Sequence, residues 1–208
     1  MVAERTALTL GAVCIVGWAA FRVDGVVGKR REMHRFAALQ DARLRPPPDL
    51  SLWSPERIAA WREVEKRQGA APVAILRIPR IRLEVPVLEG TDEGSLNRAV
   101  GLIEQTAKPG AGGNSGIAGH RDGFFRGLKD LGPGDTLELE TPNATQRYRV
   151  ERIWIVEPED VSVLDPTPTP SVTLVTCYPF YFIGSAPQRY IVRAVLAGAP
   201  TLAARRPR

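Results

Sequence analysis

The hydrophobic pattern of the chain changes character twice. From Ala7 to Phe21 almost every residue is apolar (ALTLGAVCIVGWAAF), between Arg5 and Arg22. Fifteen such residues fall short of the roughly 20 that cross a bilayer unaided. The segment reads as a signal anchor, with a cleaved signal peptide (Ala19 and Ala20 are small) and a buried helix as the competing readings. Charged residues crowd the sequence just after it, which argues against the buried helix. Residues Arg22 to Arg45, rich in Arg, Glu and Ala, continue as a helix until Pro46-Pro47-Pro48 stops it. Ser54-Pro55-Glu56 predicts a new helix start, with Ser54 as cap and Pro55 at the first helical position. That helix runs to about Gln68, places Ile58, Trp61 and Val64 on one stripe, and ends at Gly69.

From Pro72 the period falls to two. Strands are predicted over Val73–Ile78 and Ile81–Val87, with Pro79-Arg80 as a turn, and a short helix around Ser95–Val100. A turn-rich PGAGGNS run precedes the short strand Gly116–His120. Phe124–Leu131 is a brief helix or loop, and Gly132-Pro133-Gly134-Asp135 turns into a strand over Thr136–Glu140. Gln146–Val156 alternates best, with Tyr148, Val150, Arg152, Trp154 and Val156 expected on one face. Ser171–Cys177 and Arg189–Leu196 are the last two strands. Seven or eight short strands with little helix between them predict an all-β (mainly β) fold, closed or sandwiched. Closure would also protect the edges.

Charge adds a detail. The formal net charge is +5, much of it in Lys29-Arg30-Arg31 and in Arg205, Arg206 and Arg208. Basic clusters beside an apolar segment suit anionic membrane lipids, or are simply solvated ends. No basic face interleaved with aromatics is visible in the folded region, so nucleic acid is not an expected partner. The expected topology has the N-terminus inside and the domain outside the cell membrane, on a single-pass tether.

The candidate chemistry centres on Cys177. It ends the strand run Val172–Thr176 and precedes Tyr178-Pro179; the other cysteine, Cys14, lies in the apolar segment. A thiol at a strand end sits on a rigid element yet can meet solvent, and one without a disulfide partner is either reactive or buried. His120 is the one histidine of the folded region, also at a strand end. A thiol nucleophile with an imidazole proton carrier suits attack on an amide. Arg189 follows Cys177 by twelve residues, across a loop with four aromatics counting Tyr178. If the two strands are neighbours, its guanidinium reaches the same cleft, where it can donate to an oxyanion. Asp122 either orients His120 or pairs with Arg121. One histidine and one thiol 57 residues apart make no zinc set, and no acidic loop has calcium spacing.

The segment TLVTCYP (Thr173–Pro179) resembles the TLxTC signature of the sortases, which are membrane-anchored cysteine transpeptidases. Gly119-His120 and the following Arg-Asp-Gly-Phe-Phe resemble that family's histidine motif, and Arg189 falls where the family carries its essential arginine. The likeness covers about Pro72 to Ala197 and is nearest to class D and to a related Gram-negative group. It implies an eight-stranded β-barrel over residues 72–198. Before it stand an anchor (1–28) and a spacer with a lead-in helix (29–71); a basic tail (199–208) follows. It also implies cleavage of an LPxTG-like C-terminal sorting signal on secreted proteins. Cys177 would be the acyl-carrying nucleophile, His120 the acid and base, and Arg189 the oxyanion support. The acceptor would be a cell-wall precursor, a pilin lysine or another surface amine. No cofactor is implied; some sortases respond to calcium, but nothing in this sequence places such a site. Substrate contacts are expected from Thr176, Tyr178, Phe180, Phe182 and Gln188. Simple hydrolysis, and a non-catalytic tethered barrel with Cys177 buried, are the alternatives.

Overall fold

In the computed structural model, residues 2–43, 71–181, 185–198 and 201–202 are described. The expected helix over residues 54–68 and the side chain of Phe182 lie outside them. The β-rich part contains β1 (Ala74–Ile78), β2 (Leu83–Glu89), β3 (Val100–Leu102), β4 (Asn114–Ala118), β5 (Thr136–Glu140), β6 (Ala144–Val156), β7 (Ser171–Tyr178) and β8 (Gln188–Leu196). Their order is β5-β1-β2-β3-β4-β7-β8-β6, and β6 pairs back onto β5, so the sheet closes into an eight-stranded barrel. A two-residue β9 (Thr201–Leu202) adds to the start of β6. The pairs β2/β3 and β4/β7 are parallel, and the other barrel pairs are antiparallel. The interior is filled by fully buried aliphatics from successive strands, among them Leu76, Val85, Ile117, Leu139, Leu174 and Val192, with Phe125 among them.

The second strand starts later than its pattern predicts. Pro79–Ile81 forms a 3-10 turn, closed by Arg82 in the left-handed region at φ 52°, because Pro79 cannot donate to a ladder. The expected helix at Ser95–Val100 sits slightly earlier, as α2 (Glu93–Arg98), and β3 follows at once. Asp92 caps α2 by accepting from the Ser95 amide at 3.0 Å and its hydroxyl at 2.6 Å. The face assignment along β6 is corrected at its far end. A bulge between Val150 and Arg152 inserts one residue, so the faces invert beyond it. Tyr148 and Val150 point into the core, but so does Ile153; Trp154 faces out, under the guanidinium groups of Arg152 (4.7 Å) and Arg193 (5.5 Å).

The helix α1 (Val2–Arg43) joins the apolar segment to the basic one without a break. Its C-terminal half packs on β1, β2 and α2. Glycines permit the close approach: a Cβ on Gly28 would stand 2.8 Å from the Arg98 Cβ. Phe36 and Glu32 are buried there; Glu32 accepts from Arg35 at 3.3 Å and faces Arg98 at 3.5 Å. Gln40 donates to Glu140 at 2.8 Å. Further up, Leu10, Val13, Ile15, Val16 and Val23 are exposed. Among the described residues, no helix is long and apolar enough to cross a membrane.

Candidate active site

Three consecutive strands, β4, β7 and β8, build the site. Side chains alternate across a strand, so parity decides which of them share a face. On β7, Val172 and Leu174 fill the barrel, which puts Thr173, Val175 and Cys177 on the outer face. On β8, Val192 and Ala194 point inward, and Arg189, Ile191 and Arg193 outward. Cys177 and Arg189 are direct cross-strand partners in the antiparallel β7/β8 ladder.

His120 reaches the same face from the other side. In the parallel β4/β7 pair, Ala118 lies opposite Val175. The ladder continues past the strand end: the Gly119 amide donates to the Val175 carbonyl at 3.1 Å, and the Thr176 hydroxyl donates to the Gly119 carbonyl at 2.7 Å. Gly119 faces inward, since a Cβ there would meet the Phe125 ring at 2.8 Å. His120, the next residue along this extended edge, therefore faces out, level with Cys177. Neighbouring strands lie about 4.8 Å apart, so the three side chains span about 10 Å of one surface. Cys177 is half-buried and carries no disulfide. The Arg189 Nη1 donates to the carbonyls of Ala186 (3.3 Å) and Gln188 (3.1 Å).

The other expected contacts divide. Thr176 is 2% exposed and its hydroxyl is held by Gly119, so it braces the wall from inside and offers nothing to a peptide on the outer face. Tyr178 stacks on Tyr190 (6.1 Å), and Phe180 packs edge-on to Tyr190 at 5.0 Å. With Lys129, Pro179 and Tyr181 these rings line a cavity of about 400 Å³ at the barrel mouth. Arg121 donates to the Pro179 carbonyl at 3.2 Å, pinning the start of the β7–β8 loop to the histidine segment. Gln188 is tied to Glu157 at 3.0 Å.

Two carboxylates lie near His120. Asp122 lines a cavity beside the imidazole, but the carboxylate set against the ring is that of Glu93, with 3.7 Å between Oε1 and Nε2. The Nε2 atom is buried and makes no hydrogen bond. Glu93 was not legible as a site residue. Its one local signal is the Asp92-x-x-Ser95 cap, which announces the helix and says nothing of its position beside residue 120.

A model of the sortase domain matches residues 76–197. Sortase D of Bacillus subtilis is 37% identical over 119 residues, which are 57% of this chain and 60% of that protein. The chain thus matches less than two thirds of that relative's length. Among solved structures, a sortase D5 transpeptidase of Clostridium perfringens superposes with a TM-score of 0.56 at 30% identity, covering 66% of this chain and 89% of that one. Sortase E1 of Streptomyces coelicolor, solved with a tripeptide in its active site, gives a TM-score of 0.56 at 32% identity over 63% and 90% of the two chains.

Proposed function

Because the chain belongs to the sortase family, and is most like its class D members, we propose that it is a cysteine transpeptidase that moves proteins bearing an LPxTG-like sorting signal onto a surface amine. The observation that carries this reading is the shared outer face of Cys177 and Arg189, on adjacent strands, and of His120, two residues past the end of the strand beside them. In the reaction, the Cys177 sulfur attacks the scissile carbonyl carbon. Arg189 turns from the carbonyls of its own loop to the oxyanion, for which its planar fork of donors is suited. His120 passes a proton to the departing amine nitrogen, leaving a thioester on sulfur. An incoming amine then displaces the thiolate. The tripeptide bound in the active site of the Streptomyces relative supports a peptide donor.

We place the barrel outside the cell, tethered by α1. Exposed Leu10, Val13, Ile15 and Val16 form an apolar surface with no protein cover, which a bilayer would supply. Alkaline washing of membranes should leave the full chain in the pellet; its release would contradict the tether.

Product analysis tests the reaction. A set of fluorogenic LPxTG peptides, with the third residue varied, should yield an amide product when glycinamide is present. Free acid as the sole product at saturating glycinamide would instead assign a hydrolase.

A further inference from the structure

His120 lines a cavity of about 620 Å³ together with residues of α1, of α2 and of the 122–124 segment that follows it. This is the size range of small-molecule sites. Trp18, Val26, Leu96 and Phe124 give it an apolar lining, and Glu93, Asp122 and Lys29 are its charged side chains. Two carboxylates against one lysine leave the wall one negative charge over. The Nε2 atom of His120 is buried on the Glu93 side without a hydrogen-bond partner. Cys177 and the aromatic cluster of the barrel mouth are not part of this cavity.

We propose that this cavity is the entry site for the acceptor amine, with Glu93 and Asp122 drawing in its ammonium group and Lys29 competing for the same charge. The inference rests on the transpeptidase reading above. It adds a place and a recognition chemistry for the second substrate: a primary ammonium on an extended or apolar stem. A cation held beside Glu93 lies next to the His120 imidazole, which can take its proton. The ammonium gives one proton to the neutral imidazole and becomes a nucleophile. It attacks the thioester carbonyl; the C–N bond forms and the C–S bond breaks, its electron pair leaving on Cys177. The surplus proton on nitrogen then passes to that thiolate. The amide, the imidazolium and the free thiol account for all three protons of the ammonium.

The test reads the ratio of amide to free-acid product from the full-length protein, with the same fluorogenic peptides and glycinamide near neutral pH. Both products arise from one thioester, so changes in acylation cancel. Glu93→Gln and Asp122→Asn should each lower the ratio roughly two- to fivefold, the range for a partly exposed charge contact. Lys29→Ala should raise it by a similar factor, which a merely disrupted fold would not do. With hydroxylamine, uncharged at neutral pH, as acceptor, all three ratios should match the wild type. Unchanged glycinamide ratios would overturn the acceptor site and leave the transpeptidase reading intact. Absence of peptide cleavage by the wild type would overturn that reading, and this site with it.

Discussion

Cys177 and Arg189 face each other across the β7/β8 ladder, one residue directly opposite the other. Eleven residues separate them in the chain, yet the register puts sulfur and guanidinium on one face of the barrel. A side chain fixed by a ladder is better placed for catalysis than one on the loop itself. Replacing Arg189 with Ala should lower kcat/KM by about 10² to 10³, a loss of about 2.7–4 kcal/mol, as for other oxyanion donors. Arg189→Lys keeps the charge and loses the fork, so it should recover only part of the rate. Wild-type kinetics from Arg189→Ala would remove the guanidinium from the reaction.

Thr176 is the bolt between the cysteine strand and the histidine strand. Its hydroxyl holds the Gly119 carbonyl at 2.7 Å, so the bond lies one residue from Cys177 and one from His120. Thr176→Val leaves that carbonyl unpaired in a buried place and should destabilise the fold by about 1–3 kcal/mol. Thr176→Ser keeps the hydroxyl and should restore both stability and turnover. Urea denaturation of the two variants distinguishes this bracing role from substrate contact, because a binding role would move KM and leave the midpoint alone.

Gly119 is required by packing. A methyl there would press on the Phe125 ring at 2.8 Å and on Val100 at 3.1 Å. Gly119→Ala should destabilise by about 1–3 kcal/mol, the usual range for overfilling a packed core. It should also displace His120, the adjoining residue, so turnover should fall further than stability alone accounts for. A thermal melt alongside a rate measurement well below the midpoint checks this.

Tyr148 gives the barrel a sensitivity to alkali. Its hydroxyl donates to Gln146 at 2.6 Å inside the core, and burial pushes its pKa up to about 12. In the unfolded chain a tyrosine titrates near 10. The folded state therefore holds the proton more tightly. Its contribution is whole below pH ~10 and is lost as pH rises through ~12, a change on the order of 3 kcal/mol. Urea midpoints measured across that window should fall for the wild type and fall less for Tyr148→Phe. Parallel curves for the two proteins would contradict the assignment.

Much of the fold and of the site is legible in the sequence. Alternation marked most of the strands, and TLVTCYP with Gly119-His120 marked the site, because strand ends and small residues leave a local imprint. The barrel's pairing order did not. The parallel β2/β3 and β4/β7 contacts join segments whose adjacency has no local signature. The bulge in β6 was invisible for a related reason: one inserted residue changes every facing beyond it without changing composition. Thr176 and Glu93 show the same divide at the site. Thr176 sits in the signature run, but only the register shows it turned inward; Glu93 sits far from any motif, and only folding brings it to His120.

An acyl group trapped on the protein would identify the nucleophile. Full-length protein incubated with the LPxTG peptide set, quenched in acid and digested, should carry an acyl mass on the peptide that contains Cys177 and none on the one that contains Cys14. Cys177→Ala should show neither adduct nor cleavage. Continued cleavage by that variant, or an acyl group located on Cys14, would contradict the mechanism.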